Sequence, residues 1–109
     1  MITVTYENRI IKAIGHANYA EAGKDIVCAG VSILTYALVA SFTELTEDDI
    51  EVELDSGKNI IKFKENPSKR AQLLIDSFFI GIQALVAEYP DYVNCPSIED
   101  TKSNGKQTS

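Results

Sequence analysis

The stretch "IVCAGVSILTYALVASFT", residues 26–43, decides the fold, because it runs for eighteen residues without a charged side chain. That length sits at the lower edge of a membrane-spanning helix. The stretch nevertheless carries Gly30, Ser32, Thr35, Tyr36, Ser41 and Thr43, and no Lys or Arg flanks its C-terminal end, where a membrane anchor commonly has one. It reads as a core helix, buried on more than one side. Ile26, Ala29, Gly30, Ile33, Ala37 and Ala40 share one face at helical spacing, with Leu34 and Leu38 beside them. Asp25 stands where an N-cap is expected.

On either side of this helix the apolar period switches from helical to alternating. Upstream, Ile2, Val4 and Tyr6 alternate with Thr3 and Thr5, "ENR" supplies a turn, and "IIKAI" returns as a second strand ending at Gly15. Downstream, "ELTEDD" ends the helix, and Ile50, Val52 and Leu54 alternate with Glu51 and Glu53. Gly57 marks a turn into "IIKFK", a fourth strand. Asn66 and Pro67 fit the cap and first position of a second helix. Its face is Ala71, Leu74, Ile75, Phe78, Ile82, Leu85 and Tyr89, and Pro90 lies just beyond. The expected fold class is α+β: two layers, a four-stranded, mainly antiparallel sheet and two long helices in the order ββαββα. Residues 1–90 form the single domain, and residues 91–109, polar at their end, are expected to be a disordered tail.

A chain of 109 residues buries enough surface to fold without a disulfide or a metal. Ten basic residues against sixteen acidic ones give a net charge of -6. That balance speaks against direct nucleic-acid binding, which relies on Lys and Arg at phosphates. The start "MITVTYENRI" lacks the basic and apolar regions of a secretory signal. The two cysteines make no disulfide framework, so the expected location is cytoplasmic.

Chemistry concentrates in "GHANYAEAGKDIVCAGVS", residues 15–32. With Asp25 as cap, Cys28 falls in the first helical turn, where free N–H groups and the helix dipole favour a thiolate and can hold an oxyanion. His16, the only histidine, precedes it by twelve positions, and the chain between is long enough to fold back and bring the imidazole to the sulfur. A Cys–His pair is the minimal thiol nucleophile with its base. Gly15 and Gly23 frame a loop expected to be flexible, and Tyr19 is its one large side chain. Ser32 lies one turn past Cys28 on the same face. Against this, a small residue in an apolar helix is commonly packing, and a serine in a helix commonly bonds its own backbone. His16, Asp25, Cys28 and Cys95 lack compact zinc spacing, and no phosphate-binding glycine loop follows a strand. Neither metal nor cofactor is expected. A non-catalytic dimeric α+β adaptor that binds a partner through the first helix remains the alternative from another class.

"GHA" at 15–17 followed by "GKDIVCAGVS" at 23–32 resembles the signature of the ribosomal-processing cysteine proteases, the Prp or YsxB-like family. The resemblance extends from Met1 to about Tyr89 and includes the "MITV" opening, the element order and the closing "EYP". It implies a cysteine endopeptidase that removes an N-terminal extension from the precursor of a large-subunit ribosomal protein, allowing ribosome assembly. By that resemblance Cys28 is the nucleophile, His16 the general base, and Asp25 and Ser32 supporting residues. It also implies a homodimer. Cys95 and the tail lie outside the motif.

Overall fold

In the computed structural model, residues 1–15 and 22–98 are described. The alternation at the start becomes β1 (Ile2–Glu7), with Ile2, Val4 and Tyr6 buried. It turns through Asn8 (φ 54) and Arg9 (φ 65) into β2 (Ile10–Ile14). Two central residues with positive φ match the right-handed strand twist of a tight hairpin. α1 spans Ala22–Leu45, and β3 (Ile50–Asp55) turns at Gly57 (φ 75) into β4 (Lys58–Phe63). α2 follows at Lys69–Glu88 and β5 at Val93–Ile98.

The sheet has five strands in the order β3-β4-β2-β1-β5, not the four expected. β5 pairs parallel with β1 and makes the sheet mixed, whereas the other neighbours are antiparallel. Residues 93–98, assigned to the tail from sequence, therefore belong to the fold; residues 99–109 lie outside the described ones. "VNCPSI" hides its strand character because Pro96 cannot donate to a ladder, which an edge strand tolerates. Its register shifts between Thr3 and Thr5, where Cys95 and Pro96 oppose Val4 alone. That bulge takes up the proline.

Both helices cover one face of the sheet. Tyr6, Ile11 and Ile61 stand opposite one another across β1, β2 and β4. Phe79 of α2 stacks on Tyr6 with ring centroids 6.1 Å apart, and Phe42 of α1 meets Phe63 edge-on at 5.1 Å. Between the helices, Leu85 faces Gly30 and Leu34 faces Gly81, so each glycine receives the other helix's leucine.

The buried stripe of α1 corrects the sequence reading. Val27, Val31, Thr35, Leu38 and Phe42 enter the core, while Ile26 and Ile33 of the expected face are exposed. A helix apolar on nearly every side carries too little periodic contrast to choose its inner face. Thr35 is accommodated because its hydroxyl donates to the Val31 carbonyl at 2.8 Å.

The start of α2 also differs. Ser68, not Asn66, is the N-cap, and its side chain accepts from the Ala71 N–H. Asp48, twenty residues away, accepts from both the N–H and the hydroxyl of Ser68. A tertiary contact thus selects the cap. The inner face of α2 is Ala71, Ile75, Phe78, Phe79 and Ile82, close to the expected one. β3 is an edge strand, and its Val52 and Leu54 remain partly exposed.

Candidate active site

Cys28 is half-buried on α1, packed against the core and open on one side to a cleft of about 450 Å³. α1 supplies Cys28, Val31, Ser32 and Tyr36 to that cleft. Cys28 and Ser32 are four residues apart, one turn on the same face. The facing wall is made by Ala13 and Gly15 at the end of β2, and by the β3–β4 turn from Leu54 to Gly57 with Asn59. Gly15 and Gly57 are joined there: the Gly15 N–H donates to the Gly57 carbonyl at 2.9 Å.

Gly15 is fixed by sterics. Its φ is +132, a region that side chains rarely adopt, and an added Cβ would run into the carbonyl oxygen of Met1.

α1 begins at Ala22, four residues before the Ile26 start that an Asp25 cap implies. Asp25 therefore lies within the helix and is not its cap. Cys28 is the seventh helical residue, about 9 Å along the axis from the start at 1.5 Å per residue. Its own N–H falls past the first turn, where the unpaired N–H groups end. The expectation that helix-start N–H groups serve Cys28 directly is corrected accordingly. Gly23, a poor helix former, hid this upstream turn from the sequence reading.

His16 and Tyr19 lie outside the described residues, and of Gly23 and Asp25 only their place in α1 is described. Cys95 is half-buried on β5; burial pushes its thiol above the usual range.

Asn59 was missed by sequence reasoning. It occupies the inward position of the series Asn59, Ile61, Phe63 on β4, in register with Ala13. Its Oδ1 is buried and lacks a hydrogen-bond partner among the described residues, a state that costs about 1–3 kcal/mol. A polar residue on the apolar side of an alternating strand was the available signal.

The chain is similar to known proteins along most of its length. The profile of the family described as "Cysteine protease Prp" matches residues 1–94. The ribosomal processing cysteine protease Prp of Staphylococcus aureus (strain Mu50) is 31% identical over 96 residues, covering 84% of this chain and 91% of that protein. Its counterpart in Bacillus subtilis is 32% identical over 83 residues, covering 71% of this chain and 74% of that one. Among solved structures, the essential ribosomal processing protease Prp from S. aureus, in complex with a covalently linked product peptide, superposes with a TM-score of 0.78. It is 28% identical and is matched over 89% of this chain and 99% of that one.

Proposed function

This chain belongs to the Prp family of cysteine proteases, and from that premise we propose that it removes the N-terminal extension of a large-subunit ribosomal protein precursor in the cytoplasm. As a cysteine-type endopeptidase it needs a sulfur nucleophile with access to a peptide. The observation that carries the assignment to Cys28 is its place in a cleft whose opposite wall ends at Gly15, the residue before His16.

In the proposed cycle the Cys28 Sγ attacks the scissile carbonyl carbon and His16 takes the thiol proton. The C–N bond breaks as His16 gives that proton to the leaving amine. Water, deprotonated by His16, then attacks the thioester carbonyl and releases the new carboxyl end, restoring the thiol. Ser32 and Asp25 take supporting roles on the same helix. Gly15 and Gly57 leave bare backbone on the cleft wall, which allows an extended peptide close approach.

The proposal extends to a homodimer. The outer side of the two helices carries an apolar groove of about 590 Å³, lined by Ile33, Leu34, Gly81, Ala84 and Leu85 among others. Ile33 is 65% exposed and Ile80 71%. Two copies of one such face make an isologous contact.

The test is incubation with the ribosomal protein precursor carrying its N-terminal extension. Cleavage by the wild-type chain and none by Cys28→Ala or His16→Ala is the expected result. Cleavage retained by Cys28→Ala ends the proposal.

A further inference from the structure

We infer that the Asn59 carboxamide binds the substrate main chain, pairing with one peptide group beside the scissile bond. The inference deepens the protease reading above and rests on it.

Side chains of β4 alternate, and the inward series is Asn59, Ile61 and Phe63, of which the last two are buried in the core. Position 59 is the outermost of the three, at the end of the strand where the cleft opens. Stability alone favours an apolar residue there, continuing the row toward Ala13, its register partner. The residue present is a carboxamide, and its Oδ1 is buried with no hydrogen-bond partner among the described residues. Buried polar atoms in folded proteins nearly always have partners; Asn94 Oδ1 on β5 is in the same state, but of the two only Asn59 borders the cleft, where a group from outside can reach it.

The cleft identifies the class of that partner. Cys28 stands across it on α1, and the substrate of a cysteine endopeptidase is a polypeptide. A carboxamide presents one acceptor and two donors in a plane, which matches the N–H and C=O of a peptide unit. Its terminal torsion is broad and two-fold, so the oxygen and nitrogen exchange places at small cost as the substrate enters. Gly15 and Gly57 on the same wall carry no side chains, which leaves room for the main chain to come near. A contact to the peptide unit holds the substrate in register whatever its side chains are.

The experiment combines Asn59→Leu with ester-substituted peptides. A substrate peptide spanning the cleavage site is prepared in versions with one amide replaced by an ester, at each position flanking the scissile bond but not at it. The ester removes the N–H and weakens the carbonyl as an acceptor. With wild-type enzyme, one ester position is expected to lower kcat/KM about tenfold, the loss expressed in KM. Asn59→Leu is expected to show that loss already with the all-amide peptide and to suffer no further loss from the ester. Its melting temperature is expected to equal or exceed that of wild type, because leucine continues the apolar row. The proposal is overturned if Asn59→Leu and wild type lose equally at every ester position. A fall in melting temperature together with unchanged ester sensitivity overturns it as well, since Asn59 then serves the fold. Wild-type cleavage of the all-amide peptide, absent in Cys28→Ala, is the control. If it fails, the protease assignment fails and this proposal with it; if it holds, the ester cycle judges Asn59 alone.

Discussion

The N–H of Gly15 donates to the carbonyl oxygen of Gly57 at 2.9 Å, clamping the end of β2 to the β3–β4 turn at the mouth of the cleft that Cys28 lines. Both residues have positive φ, +132 and +75. The bond therefore links two backbone positions that both favour glycine, one of them immediately before His16.

Gly15→Ala is expected to lose both stability and activity. The added Cβ meets the Met1 carbonyl, which is backbone and cannot swing aside. Strain of this kind costs about 1–3 kcal/mol, and each kcal/mol lowers the melting temperature of a domain this size by about 4–8 °C. Thermal unfolding and peptide cleavage measured together check it; an unchanged melting temperature counts against the steric reading.

Iodoacetamide at neutral pH is expected to modify Cys28 before Cys95. Alkylation requires the thiolate. Burial raises the Cys95 thiol above its ordinary value, whereas Cys28 borders an open cleft. Peptide mapping by mass spectrometry at timed intervals gives the order. Faster labelling of Cys95 contradicts it.

The Asp48–Ser68 contact gives a pH-dependent share of stability. Burial works to raise the Asp48 carboxyl, but the Ser68 hydroxyl, the Ser68 N–H and the Thr46 hydroxyl outweigh it and hold it below the ordinary value. A group depressed in the folded state stabilises the fold above its unfolded pKa and loses that effect as pH falls through the folded one. Asp48→Asn should therefore melt lower than wild type at pH 7, and the gap should close below about pH 4. Ser68→Ala removes the cap as well as one bond to Asp48, so about 1 kcal/mol of its cost is expected to persist at pH 3. Melting curves at pH 7 and pH 3 distinguish the two variants.

Charges on the outer helix face should separate the proposed dimer. Ile33→Glu with Ile80→Glu replaces two exposed side chains, so the monomer fold is expected to survive. Light scattering should show half the wild-type mass at equal melting cooperativity. A wild-type chain that is already monomeric at working concentration removes the dimer proposal.

Gly15, Cys28 and Ser32, which the cleft brings together, were legible because their signal is local. The interval from His16 to Cys28, the "DIVCA" run and Gly15 can be read from neighbouring residues in the chain. The first four strands were equally plain, since Ile2, Val4 and Tyr6 need only a half-buried sheet to explain their alternation. Cys28 and Ser32 sharing a face follows from helical spacing and reappears in the cleft.

What the sequence could not decide depended on distant partners. α1 is apolar almost all round, so its inner stripe was chosen by what the sheet and α2 offered: Phe63 for Phe42, and the paired glycines for Leu34 and Leu85. Ser68 became the cap because Asp48, just before β3, meets it at the open end of the β3–β4 hairpin. Residues 93–98 became a strand because β1 had an unpaired edge whose backbone groups needed partners, and a bulge takes up Pro96. Asn59 owes its significance to the cleft alone. Periodicity and capping act over a few residues and are written in their order. Strand pairing, the inward choice of an apolar helix and the loneliness of a buried oxygen depend on which distant surfaces meet, and only the folded chain brings those together.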